Sequence, residues 1–166
     1  MSELTPRERL QPSLLDRLTD DDPGNREARD RWFLTLQQLR SAVLRDLGWL
    51  LNTDNLHGED LEHLPYVACS VLNYGFPDLS GVTATSVNAT ELTRQLRRVI
   101  HDFEPRLKEG SVKVRVVVGE GEFNRNAVAF EIKAELWAQP VPLDLLLKTE
   151  IDLETGQVTV LERTVE

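Results

Sequence analysis

The hydrophobic period of this chain changes once, near residue 111, and that change decides the class of fold. Before it, apolar residues recur at spacings of three and four: Trp32, Phe33, Leu36, Leu39, Val43, Leu47 and Leu50. That stripe predicts a long helix over residues 26–51, ended by Asn52-Thr53-Asp54-Asn55. Pro65 suits the first position of a shorter helix carrying Val67, Val71 and Leu72. A third helix has the clearest start, with Asn88 as N-cap, Glu91 three residues on, and Val87 and Leu92 at the hydrophobic-staple positions. Leu92, Leu96, Val99, Ile100 and Phe103 mark its apolar face, and Pro105 stops it. After residue 111 the period is two. Val112, Val114, Val116 and Val118 alternate with charge; so do Val128 to Leu136, and Leu145 to Leu153 forms a third strand face. Gly119-Glu120-Gly121 and Glu154-Thr155-Gly156-Gln157 supply turns, the second leading to a fourth strand over residues 158–161. The expected fold is α+β, with N-terminal helices packed on a C-terminal, mostly antiparallel sheet of three to four strands. One sheet face should be covered by the helices; the other, with its alternating charges, should be wet.

Ahead of this body, residues 1–25 read as a flexible arm. Within it Ser13-Leu14-Leu15-Asp16-Arg17-Leu18 is a short amphipathic helix, with Ser13 and Asp16 as a capping pair. Asp20-Asp21-Asp22-Pro23-Gly24 reads as a hinge, because carboxylates repel and Pro and Gly interrupt. Residues 26–166 form one domain, a length that can bury a core.

Charge and motif narrow the function. The formal net charge is -9, which argues against a nucleic-acid partner, since phosphate contacts need clustered Lys and Arg. No apolar run nears the ~20 residues of a membrane span, so direct membrane insertion is not expected. The polar N-terminus has no apolar signal core, and a cytoplasmic location is expected. Cys69, the one cysteine, lies in an apolar stretch and reads as a small buried hydrophobe. His57 and His63 sit in an acidic loop without the tight ligand spacing of a zinc site, and the Gly119 turn lacks the Lys of a phosphate loop. There is no G-x-S-x-G elbow, and no acid pair stands out for glycosidase chemistry. No catalytic residue, metal or cofactor is expected.

The most pointed constellation is Phe103-Glu104-Pro105-Arg106-Leu107. Pro fixes its own backbone angle, so an acid and a forked base are held in constrained relative directions. Two uses follow: an internal tie from the helix exit to the sheet, or a dock for another protein. Chemistry alone favours the internal tie.

Several stretches together resemble the family of phage-tail baseplate wedge proteins and their type VI secretion relatives, the TssE subunits. They are residues 13–18, Arg45-Asp46-Leu47-Gly48-Trp49-Leu50-Leu51-Asn52, Pro65 through Leu79, Ile100 through Leu107, and Phe130 through Asp144. The resemblance spans nearly the whole chain, and the short N-terminal helix looks like the secretion branch. It implies a structural, non-enzymatic subunit in a baseplate docked at the inner face of the cell envelope. It implies partners among the other wedge subunits (TssF, TssG, TssK) and the sheath subunits (TssB, TssC). The family's sheet links neighbours through exchanged strands, so an open strand edge is expected. It also makes Glu104, Pro105 and Arg106 an assembly contact, which reverses the preference for an internal tie. Leu14, Leu15 and Leu18, an apolar stripe on a polar arm, are expected to pack into a partner groove. Two other readings stand beside this one: a muramidase-like cell-wall hydrolase, from an old lysozyme label on some phage-type members, and a free-standing adaptor.

Overall fold

The computed structural model describes residues 12–19, 34–56, 61, 63–82, 88–117, 127–137 and 142–162. The elements run α1 (Leu14–Leu18), α2 (Leu36–Leu51), α3 (Pro65–Ala68), a 3-10 turn (Val71–Asn73), α4 (Ala89–Phe103), then β1 (Lys113–Val117), β2 (Ala127–Leu136), β3 (Leu143–Asp152) and β4 (Val158–Glu162). The fold is α+β, helices first and sheet last.

Of the helix expected over residues 26–51, α2 supplies the part from Leu36; Trp32 and Phe33 lie outside the described residues. A capping box that the sequence reading passed over begins it. Thr35 Oγ1 accepts from Gln38 N at 3.2 Å, and Gln38 Oε1 accepts from Thr35 N at 2.9 Å. Leu39, Val43, Leu47 and Leu50 are buried as the stripe predicts, and Leu51 joins them. Asn52 closes the helix, and its amide behaves like one more strand residue. It accepts from Val158 N at 2.9 Å and donates to Val158 O at 2.8 Å, which holds α2 against β4.

α4 starts at Asn88, whose side chain accepts from Thr90 N and Glu91 N. Only half of the expected capping box forms. Glu91 binds Arg94 at 2.7 Å and Gln95 at 3.0 Å instead of returning to the cap. Val87 is outside the described residues. Leu92, Leu96, Val99 and Ile100 are buried, and the helix ends at Glu104, just before Pro105.

The segment after Pro65 departs from expectation. α3 is a single turn with no buried residue, and the chain breaks at Ser70, whose hydroxyl caps Leu72 N at 3.2 Å. Val71 and Leu72 therefore do not share the helix. They are 81% and 68% exposed, and Cys69, expected to be buried, is exposed as well. One turn is too short to carry an apolar face into the core.

The sheet is four-stranded, antiparallel, in the order β1-β2-β3-β4. The register puts Val114, Ile132 and Leu147 in one row, and Val116, Phe130, Thr149 and Val160 in the next. Both rows lie on the helix-covered face, with α4 against β1 and α2 against β4. On the opposite face Arg115, Glu131 and Lys148 stand side by side across three strands, the solvated charge pattern expected there. Asp152 shapes the last hairpin by accepting from Glu154 N and Thr155 N.

Thr149 is the exception inside the core. It is 0% exposed, and its hydroxyl finds no partner among the described residues. Thr149→Val keeps the shape and removes the orphaned hydroxyl, so a gain of about 1 kcal/mol in urea denaturation is expected. A loss instead would mean that the hydroxyl has an acceptor.

Candidate partner-docking site

Glu104, Pro105 and Arg106 form the turn between α4 and the sheet. Glu104 is 3% exposed, the one buried carboxylate among the described residues. Arg106 clasps it with a fork: Nε to Oε1 at 2.6 Å and Nη2 to Oε2 at 2.5 Å. Leu107 N donates to Glu104 O at 3.2 Å across the turn, leaving Pro105 exposed at its tip. Beyond the turn, Trp137 N donates to Arg106 O and Lys108 N to Glu135 O, both at 2.8 Å. The backbone of the motif is thus bonded to the end of β2.

The side chains reach the other way. Arg106 Nη2 also meets Asp46 Oδ2 of α2 at 2.6 Å, a contact between residues 60 positions apart. Asp46 is bound in turn by Arg45, which reaches Asp16 of α1 at 2.6 Å. Arg45 lies over the Trp49 ring, 4.8 Å from its centre. Alternating charges therefore run Glu104, Arg106, Asp46, Arg45, Asp16, from the sheet end to the arm. Burial works against the Arg106 charge, but the hydrogen bond and charge of Glu104, then those of Asp46, raise its pKa above the ordinary arginine range. The hydrogen bond from Arg45 holds the Asp16 carboxyl below the usual range, with Ser13 adding to it, so the arm contact is fully charged at neutral pH.

Tyr74 closes the cluster from the side. Its ring meets Phe103 edge-on at 5.3 Å. Burial first, then the charges of Asp46 and Glu104, push its phenol up.

Of the residues singled out by sequence, Glu104 and Arg106 are bonded to each other and Pro105 sits between them. Leu14, Leu15 and Leu18 lie on α1, 70%, 51% and 74% exposed. Asp16, on the same turn, connects α1 to the motif through Arg45. Sequence reasoning missed Asp46, Arg45, Asp16 and Tyr74 as members of the site. One signal was available. Asp46 sits at the margin of the buried stripe, between Val43 and Leu50, where a carboxylate needs a cation.

The family described as baseplate wedge protein gp25 matches residues 37–141, from the first turn of α2 to just before β3. The chain belongs to that family. No curated protein and no solved structure matches it. Membership carries a structural role in a phage-type baseplate and interaction with other baseplate subunits. The match contains Asp46, Tyr74 and the Glu104–Arg106 turn; α1 lies outside it. Among the described residues no helix is long and apolar enough to cross a membrane.

The hydrolase reading needs a carboxyl held above its usual range in a cleft. Glu104 has both oxygens bound by Arg106. An open cleft of about 310 Å³ between the end of α2, residues 76–78 and the last hairpin is lined by Asp54 and Asp78. Ser80 binds Asp78 through its backbone N–H and its hydroxyl, both at 2.7 Å, and holds that carboxyl down. That is the opposite of what a general acid requires. Of the acidic loop from Asp54 to His63, residues 57–60 and 62 are outside the described residues.

Proposed function

We propose that this wedge-family chain is the TssE-type subunit of a type VI secretion baseplate. It joins the other wedge subunits TssF, TssG and TssK, and helps seed the sheath built from TssB and TssC. The observation that carries the reading is α1. Its three leucines are exposed, forgoing roughly 2 kcal/mol each of possible burial. An ion pair from Asp16 to Arg45 ties the helix to the body. An apolar ridge presented in this way suits a partner groove. The turn Glu104-Pro105-Arg106 is the second contact, with Pro105 at its exposed tip and Arg106 fixing its direction. Sheath seeding would use an open sheet edge. β4 is already engaged at Val158 by Asn52, which favours β1.

The test is co-purification of the tagged chain from cytoplasm. Wedge and sheath subunits are expected with it, and deleting residues 1–20 should lower their recovery about tenfold or more. Recovery of the chain alone, from cells assembling the machine, would overturn the assignment.

A further inference from the structure

Among its described residues, the stretch between α2 and Phe76 forms a projection whose part from Leu64 to Leu72 turns large apolar side chains outward. Its neck is closed by backbone bonds: Phe76 N to Thr53 O at 2.7 Å and Asn55 N to Phe76 O at 3.3 Å. Inside it, Ser70 caps the 3-10 turn, Asn73 Nδ2 donates to Ala68 O at 3.0 Å, and Asn73 Oδ1 accepts from Leu56 N at 3.1 Å. Neither α3 nor the 3-10 turn buries a residue. Leu64, Tyr66, Val71 and Leu72 are 51%, 91%, 81% and 68% exposed. Four large apolar side chains within nine positions, held in place without contributing to the core, are a mark of an interaction surface. Because hydrogen bonds already order the segment, little entropy is left to lose when it docks.

Charge identifies the kind of partner. Between Arg45 and Arg94 the sequence has no Lys or Arg, while Asp46, Asp54, Glu59, Asp60, Glu62, Asp78 and Glu91 lie in that interval. A segment of this charge is repelled by anionic lipid and by nucleic acid. We infer that the projection inserts Tyr66, Val71 and Leu72 into an apolar groove with a basic rim on a neighbouring baseplate subunit. This contact is separate from α1 and from the Glu104–Arg106 turn, and it rests on the wedge assignment above.

Cys69, exposed and the one cysteine of the chain, is a native reporter in the middle of this surface. The experiment compares its reaction with N-ethylmaleimide in the isolated chain and in purified baseplates. The expected result is a rate about tenfold or more slower in baseplates, with protection that weakens as salt rises. The triple variant Tyr66→Ser, Val71→Ser, Leu72→Ser should fold normally, because these side chains are exposed, yet bind wedge subunits about a hundredfold more weakly. Cys69 reacting at the same rate in both states overturns the inference and leaves the wedge assignment standing. Absence of the chain from baseplates overturns both. Protection that grows with concentration of the isolated chain overturns it in favour of a second copy as the occupant.

Discussion

Arg106→Ala is expected to lower the unfolding free energy of the isolated chain by roughly 3–5 kcal/mol, because it leaves a buried carboxylate without its cation. Glu104 is 3% exposed, and the clasp from Arg106 occupies both of its oxygens. From the sequence alone, Arg106 is expected to matter for assembly and little for the isolated chain; the pairing inside the fold changes that expectation. Two roles, internal tie and partner contact, then have to be separated. Glu104→Met with Arg106→Met removes both charges together and should recover most of the lost stability, since an apolar pair of similar volume is tolerated where a lone charge is not. Asp46 keeps Arg45 as its partner in that variant. If the double variant is stable in urea denaturation but is not recovered with wedge subunits, the turn is a docking contact. If it is stable and assembles, the motif is only an internal tie.

The second large effect is expected at Gly75. Its φ is +129°, and a Cβ there would lie 2.1 Å from Thr53 O. That oxygen is the acceptor for Phe76 N, so a side chain at Gly75 must open the neck of the projection. Phe76 itself is 3% exposed and belongs to the core. Gly75→Ala should therefore cost roughly 3 kcal/mol or more, combining backbone strain with a lost buried hydrogen bond. Gly110→Ala is the control. It also has positive φ, +75°, but nothing lies within 4 Å of the added atom, so about 1 kcal/mol is expected. Equal effects at the two positions in urea denaturation would show that the neck contributes nothing beyond glycine's own backbone freedom.

Much of the architecture was legible because it is local. The change of period near residue 111 separates helices from strands, and the alternation in residues 128–136 and 145–153 already names the core face of β2 and β3. Asn88 and Pro105 mark the two ends of α4 through groups within a turn of them. Thr35 and Gln38 could have been read in the same way as the start of α2. The outward display of Val71, Leu72 and Cys69 was not legible. Apolar composition says that a residue is suited to burial, whereas a one-turn helix with a break at Ser70 cannot bring it to the core.

The motif divides along the same line. That an acid and a forked base flank a proline at a helix exit, and that three leucines ride on a polar arm, is written in neighbouring residues. Packing turns Arg106 back onto Glu104 and across to Asp46, and lets Arg45 carry the charge chain on to Asp16. Asp46 lies 60 positions from Arg106, and Asp16 lies 29 from Arg45. An ion pair depends on where the packed helices bring two charges, and no local period records that distance.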